Sequence, residues 1–325
     1  MDIALPPKIK ERSDLVRVFG HLAELLLTPP TPGTDPIAAM RKNIERYGSV
    51  EPAAGIDGVT VQPVSAGGVP AEWILPPDWK SGPSARLVYL HGGAWAGGSL
   101  DSHRPLAASL AKQLGYPVLQ VGYSLAPEHP FPAALEDCAN VLAWARKFGP
   151  DGASETHCLG LAGDSAGGNI AAATVVKGIE DGSERPDRLL LLSASLDLSP
   201  QSGRMGIVDP MVDLSQQEPA LGGLVGLYTL GKTTAADPLV SPLRASDETL
   251  ALFPPTLLQA SSNEFLLWDA QQFAGKLVAN GVRATLSVWP GMPHGWQLFP
   301  FLPETVEALA EAVAFLSSGV PRGKN

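Results

Sequence analysis

The chain has 325 residues, 45% hydrophobic and only 17% charged, against a usual charged share of roughly 25%. That supplies a large core and excludes a disordered chain, and the abundant Gly (34) and Pro (31) follow no period, which excludes collagen-like and low-complexity readings. A net charge of −10 repels phosphate backbones, so nucleic acid is not an expected partner.

Met1–Lys10 has no apolar stretch after a basic start, so no secretory signal is expected. Leu15, Val18, Phe19, Leu22, Leu25 and Leu26 recur at helical spacing and predict an amphipathic helix. The four prolines and one glycine of Thr28–Pro36 must stop it. A second helix is predicted from about Asp35, with Ile37, Met40, Ile44 and Tyr47 on one side. Residues 1–50 are therefore a helical segment, read either as a lid over a site or as an ordinary packing pair. The mixed charges of its polar face argue against a membrane-surface helix. No run of about 18 apolar residues occurs anywhere to cross a membrane.

From about residue 55 the pattern changes. Short apolar runs end at loops: Ala71–Leu75, Leu87–Leu90, Val118–Val121, Cys158–Leu161, Leu189–Leu192, Thr256–Ala260 and Thr285–Trp289. Helix-length segments lie between many of them: Pro105–Leu114, Ala133–Lys147, Gly168–Ile179, Trp268–Asn280 and Pro303–Ser317. This alternation predicts an α/β protein with a mostly parallel sheet buried on both faces. Ser199–Thr234 breaks the rhythm and reads as an insertion of helices and loops. Cys138 and Cys158 lack metal-ligand spacing and are expected to be reduced thiols in a cytoplasmic protein.

The chemistry is concentrated where strands end. Leu159-Gly160-Leu161-Ala162 runs into Gly163-Asp164-Ser165-Ala166-Gly167, followed by a helix of small residues. A Gly-x-Ser-x-Gly in that context is a sharp turn that lifts the serine above the sheet at a helix N-terminus, where the dipole favours developing negative charge. Upstream, Val88-Tyr89-Leu90 ends in His91-Gly92-Gly93-Ala94-Trp95. Acyl transfer needs amide donors aimed at an oxyanion, and the expected donors are Gly92, Gly93 and Ala166. Of six histidines, His294 lies in the loop after the last strand, on the same sheet edge as Ser165, and is the expected base. His21 and His157 read as structural, and His91 and His129 as loop-orienting. His103 opens a helix without an evident partner. An acid should fall between serine and histidine in chain order. Glu264, just past Thr256–Ala260, is preferred; Asp269, five residues on and inside the predicted helix, is the substitute.

Taken together, these segments resemble the hormone-sensitive-lipase-like branch (bacterial family IV) of the α/β-hydrolase superfamily, over nearly all of residues 50–318. The shared pieces are His91-Gly92-Gly93-Ala94-Trp95, Tyr123-Ser124-Leu125-Ala126-Pro127-Glu128 with Phe131-Pro132-Ala133-Ala134, Gly163-Asp164-Ser165-Ala166-Gly167-Gly168, Asp237-Pro238-Leu239-Val240-Ser241-Pro242, Glu264-Phe265-Leu266-Leu267 and Pro293-His294-Gly295. The resemblance implies the α/β-hydrolase fold, with a catalytic domain over 51–325 and a helical cap drawn from residues 1–50 and a second piece at 200–235. It implies a serine carboxylesterase for short- to medium-chain esters, with Ser165, Glu264 and His294 on the triad positions and Gly92, Gly93 and Ala166 on the oxyanion-hole positions. It implies no cofactor and no metal, no stable membrane association, and a homodimer formed through the sheet edge. Four positions depart from the family pattern: Ala94 stands where many members have glycine, Ser124 where arginine is common, Glu264 where aspartate is more frequent and Trp268 where an acidic residue is usual. Two other readings use the same residues: a lactone hydrolase or amidase with the same triad, and a non-catalytic small-ligand binding protein on the hydrolase scaffold.

Overall fold

A computed structural model describes residues 11–50, 56–81, 85–199 and 218–320. Met1–Lys10, part of the expected domain boundary (51–55) and much of the expected second cap piece (200–217) lie outside the described residues. Helices α1 (Ser13–Leu27) and α2 (Pro36–Arg46) form the N-terminal segment. Asp35 caps α2, its carboxylate accepting from Ile37 N at 3.3 Å, and Pro36 sits at the first helical position, where a missing N–H costs nothing. The apolar stripe read from the sequence is real: Leu15, Val18, Phe19 and Leu22 pack on Met292, Trp296, Phe299 and Leu302.

The body is an eight-stranded sheet. In chain order its strands are β1 (Thr60–Ala66), β2 (Val69–Leu75), β3 (Arg86–Leu90), β4 (Val118–Val121), β7 (Leu159–Asp164), β8 (Arg188–Leu192), β9 (Thr256–Ser261) and β10 (Ala284–Trp289); β5 (Phe148–Gly149) and β6 (Gly152–Ala153) make a separate small hairpin. The spatial order is β1-β2-β4-β3-β7-β8-β9-β10. Among the described residues of this sheet only the β1–β2 and β2–β4 pairings are antiparallel; in spatial order from β4 to β10 every ladder is parallel. No unbroken apolar run in the sequence marks β1. The strand alternates exposed and half-buried positions and carries Pro63, which an edge strand tolerates because one side of its backbone needs no ladder partner.

Strand alternation divides the core. Val88, Leu90, Leu119 and Val121 face one side, with helices α4 (Ala133–Lys147), α5 (Ser165–Asp181) and α8 (Leu267–Ala279) supplying Val141, Ile170 and Phe273. Leu87, Tyr89 and Val118 face the other, where α3 (Leu100–Leu114) and α9 (Pro303–Ser317) supply Leu106, Leu110, Leu309 and Leu316. Each fully buried leucine is worth roughly 1.5–3 kcal/mol relative to exposure, so the central strands must be apolar on both faces. Helix α3 begins five residues before the predicted Pro105 because Ser99 and Ser102 form a reciprocal capping box. Helices α6 (Glu218–Thr229) and α7 (Asp247–Leu250), with a short 3-10 turn at Pro242–Arg244, lie between β8 and β9 among the described residues. The parallel strands β3, β7, β8, β9 and β10 all deliver their C-terminal loops to one edge of the sheet. Among the described residues no helix is long and apolar enough to cross a membrane.

Candidate active site

Ser165 sits at the step from β7 into α5 with φ of 51°. A left-handed conformation at a non-glycine residue is strained and persists only where the surroundings fix it. Here the fixing is steric. A β-carbon on Gly163 would lie 2.5 Å from the Gly167 backbone, and one on Gly167 would lie 2.1 Å from the Leu90 carbonyl oxygen. The turn is therefore closed against neighbours that only glycine admits.

His294 and Glu264 arrive from the ends of β10 and β9. His294 Nε2 is 3.0 Å from Ser165 Oγ, and its Nδ1 is 2.9 Å from Glu264 Oε2. A carboxylate only accepts, so Nδ1 carries the hydrogen and Nε2 is left to accept from the serine. Glu264 is fully buried, and its other oxygen accepts from Ser261 N at 2.7 Å. The histidine loop is tied to the same strand end, since Ser261 Oγ donates to Met292 O at 2.6 Å. Asp269 is also fully buried but is occupied elsewhere: its Oδ2 accepts from the amides of Leu196 (2.7 Å) and Asp197 (3.0 Å) after β8. The structure thus brings Glu264, and not Asp269, to the histidine. A hydroxyl, an imidazole and a buried carboxylate in this order can activate an oxygen nucleophile at neutral pH.

The glycine loop after β3 requires one correction. Gly92 was expected to offer a free amide; instead its N–H donates to Asp164 Oδ1 at 2.9 Å. The physical reason is that Asp164, immediately before Ser165, turns its buried carboxylate back under the loop. Among the described residues, the amides of Gly93 and Ala94 make no hydrogen bond within the protein, and Ala166 occupies the first turn of α5, whose N–H groups have no helical partner.

The family comparison falls on this same framework. A family described as the alpha/beta hydrolase fold matches residues 87–298. The esterase LipU of Mycobacterium tuberculosis is 34% identical over 271 residues, covering 81% of this chain and 85% of that protein. An acetyl-hydrolase of Streptomyces hygroscopicus is 33% identical over 262 residues, covering 80% of this chain and 83% of its own. The crystal structure of an esterase from the bacterial hormone-sensitive lipase family superposes with a TM-score of 0.83 at 33% identity, covering 95% of this chain and 98% of the other. The chain belongs to the hormone-sensitive-lipase-like alpha/beta hydrolases.

In this hydrolase the remaining polar groups near Ser165 form a buried cluster that sequence reasoning missed. Asp164 Oδ1 also accepts from the Tyr89 hydroxyl, and Asp164 Oδ2 lies 3.4 Å from His103 Nε2. His103 therefore has a partner after all, brought to it by the sheet from a distant part of the chain. Burial alone would raise the Asp164 pKa, but the charge and hydrogen bond of His103 and the bond from Tyr89 bring it below the usual carboxylate value. His91 is stacked on Tyr123 with ring centroids 4.4 Å apart and donates from Nδ1 to Gly92 O at 2.8 Å, the loop-orienting role expected of it. Cys138 and Cys158 are both free. Among the described residues, no group of three or more His, Cys, Asp or Glu side chains is placed to hold a metal ion.

Burial, reinforced by the nearby His103, pushes the His91 pKa down from 6.5 to about 4. In the unfolded chain the same group titrates near 6.5, so unfolding takes up a proton between those values. The stability that His91 contributes is complete above about pH 6.5 and is lost as pH falls towards 4. Between pH 7 and 4.5 the loss from this one residue is expected to be about 2–3 kcal/mol. Urea unfolding at both pH values checks it: His91→Asn should show a shallower pH dependence than the parent, and equal slopes would refute the assignment.

Proposed function

We propose that the protein is a serine carboxylesterase that hydrolyses short- to medium-chain carboxylic esters through an acyl-enzyme. The observation that carries this reading is the unbroken contact chain Ser165 Oγ–His294 Nε2 (3.0 Å) and His294 Nδ1–Glu264 Oε2 (2.9 Å) at the N-terminus of α5. The esterase and acetyl-hydrolase names of its relatives support the same chemistry.

In this mechanism Ser165 Oγ attacks the ester carbonyl as His294 Nε2 takes its proton. Glu264 holds the ring in the required tautomer and stabilises the imidazolium without accepting its proton. The tetrahedral oxyanion is held by the amides of Gly93, Ala94 and Ala166, since Gly92 N–H is engaged by Asp164; each such donor is worth about 2.7–4 kcal/mol of barrier. His294 then protonates the departing alkoxide. Water, deprotonated by the same imidazole, releases the acid and restores Ser165.

The described parts of the expected cap, residues 11–50 and 218–235, act in this reading as a cap that bounds the acyl pocket. The packing of α1 on Met292 and Trp296 beside His294 supports that position for the first piece. A panel of p-nitrophenyl esters from acetate to palmitate, with a γ-lactone and an anilide beside it, tests the reading. Turnover is expected to be highest between acetate and octanoate and at least about tenfold lower for palmitate. Faster opening of the lactone or cleavage of the anilide than of any ester would reassign the substrate class, and no turnover of any of them would leave only the ligand-binding scaffold.

A further inference from the structure

Helix α2 places none of its side chains fully in the core. Its contacts go instead to loops at the active-site edge of the sheet. Arg41 Nε donates to Ala96 O at 2.7 Å and Nη2 to Ala126 O at 3.0 Å, while Nη1 donates to Glu128 Oε1 at 2.9 Å. One turn on, Ile44 lies against Gly97, where a β-carbon would come within 2.7 Å of Ile44 Cδ1. Next to it Glu45 Oε2 accepts from Ser99 Oγ at 2.8 Å. Tyr47, which closes the helix, reaches the other loop: its hydroxyl donates to the backbone oxygen of His294 itself at 2.9 Å, and its ring centroid is 6.0 Å from that of Phe299. Helix α1 supports α2 from behind, through Asn43 Nδ2 to Leu25 O and a His21 Nε2 contact with Arg46 O, both 2.8 Å.

The loop that α2 grips needs outside support. Gly93, Ala94 and Trp95 have φ of 132°, 55° and 60°, three consecutive left-handed residues. Such a run is retained only if neighbouring structure over-determines it. Ala96, whose carbonyl Arg41 holds, follows directly. The histidine loop is anchored from the sheet side by Ser261 and from the outer side by Tyr47. One short helix therefore touches both the loop of amide donors and the loop of the base.

We propose that α2 is a strap that sets the spacing between the two halves of the catalytic apparatus, with Arg41 holding the Gly93–Ala96 loop and Tyr47 holding the His294 loop. The proposal rests on the esterase reading above. Arg41 and Tyr47 are positioning residues: each holds a backbone oxygen of a loop, Arg41 that of Ala96 and Tyr47 that of His294. Displacing a catalytic group by about 1 Å can cost on the order of 100-fold in rate, so small slack in the strap is felt in kcat.

The test uses the full chain with p-nitrophenyl butyrate, every rate divided by the concentration of active sites titrated with a fluorophosphonate, so that unfolded protein drops out. Tyr47→Phe keeps the ring and removes only the hydroxyl; kcat is expected to fall about three- to tenfold with KM changed less than about twofold. Arg41→Ala is expected to lower kcat about 10- to 100-fold, and Arg41→Lys to recover only part of it, because an ammonium lacks the guanidinium fork. The two sites grip different loops, and independent contacts at that separation would give multiplying losses. A strap predicts that the double variant Tyr47→Phe/Arg41→Ala is no slower than Arg41→Ala by more than about twofold, since the larger cut already frees the spacing. Unchanged kcat, a rise in KM alone, or multiplying losses would overturn the strap. If Arg41→Ala yields no titratable enzyme, Tyr47→Phe and Arg41→Lys carry the same comparison. Parent enzyme that turns over no ester would remove the esterase reading itself, whereas normal parent turnover with unaffected variants would remove the strap alone.

Discussion

Ser165→Ala is expected to lower kcat towards p-nitrophenyl butyrate by about a million-fold, the scale seen when the nucleophile of a serine triad is removed. The variant deletes one oxygen. It leaves the imidazole–carboxylate pair of His294 and Glu264 and the amides of the glycine loop in place. What remains is stabilisation of a water-derived tetrahedral centre, so a residual rate above the uncatalysed reaction is part of the expectation. KM should stay within severalfold of the parent. The left-handed φ of 51° at this position strains alanine about as much as serine, so the thermal midpoint should move little. Fluorophosphonate labelling must vanish together with turnover. A variant that keeps even a hundredth of parental turnover, after contaminating esterase is excluded by titration, would rule out Ser165 as the nucleophile.

The fold was legible where burial on both sheet faces leaves an unbroken apolar run. Leu87–Leu90, Val118–Val121 and Leu189–Leu192 could be read as strands because β3, β4 and β8 lie between two layers of helix. Strand β1 was not legible, because an exposed edge strand needs no apolar pattern and can carry Pro63. The serine, base and acid were legible for a related reason. A parallel sheet sends the loops after β7, β9 and β10 to one edge, so chain order alone brings Ser165, Glu264 and His294 together. Nothing local, by contrast, says that Gly92 is spoken for. Its N–H is taken because the Asp164 carboxylate turns underneath it, a fact of tertiary packing between β3 and β7. The roles of Arg41 and Tyr47 were invisible for the same reason: the loop atoms that they hold are backbone oxygens at 96, 126 and 294, which leave no mark in the sequence, and the Arg41 pairing with Glu128 joins residues far apart along the chain.

The two buried acids after β9 separate catalysis from architecture. Glu264→Gln keeps the shape of the side chain but presents an amide to His294 Nδ1, which can then favour the wrong tautomer or lose its charged partner. By analogy with acid-to-amide changes in serine triads, kcat is expected to fall about 10⁴-fold with little change in KM. Asp269 is equally buried, yet its carboxylate accepts from Leu196 N and Asp197 N. Those bonds pin the segment after β8, and each hydrogen bond to a charged group is worth about 1.5–3 kcal/mol. Asp269→Asn is therefore expected to cost about 2–4 kcal/mol of unfolding free energy while kcat per titrated site falls by less than about tenfold. Two measurements on each variant, the urea midpoint and kcat with p-nitrophenyl butyrate, place them in opposite corners. If Asp269→Asn loses the larger share of kcat while Glu264→Gln loses mainly stability, the roles are exchanged, and the 2.9 Å contact between Glu264 and His294 would be a structural tie and not part of the proton-handling apparatus.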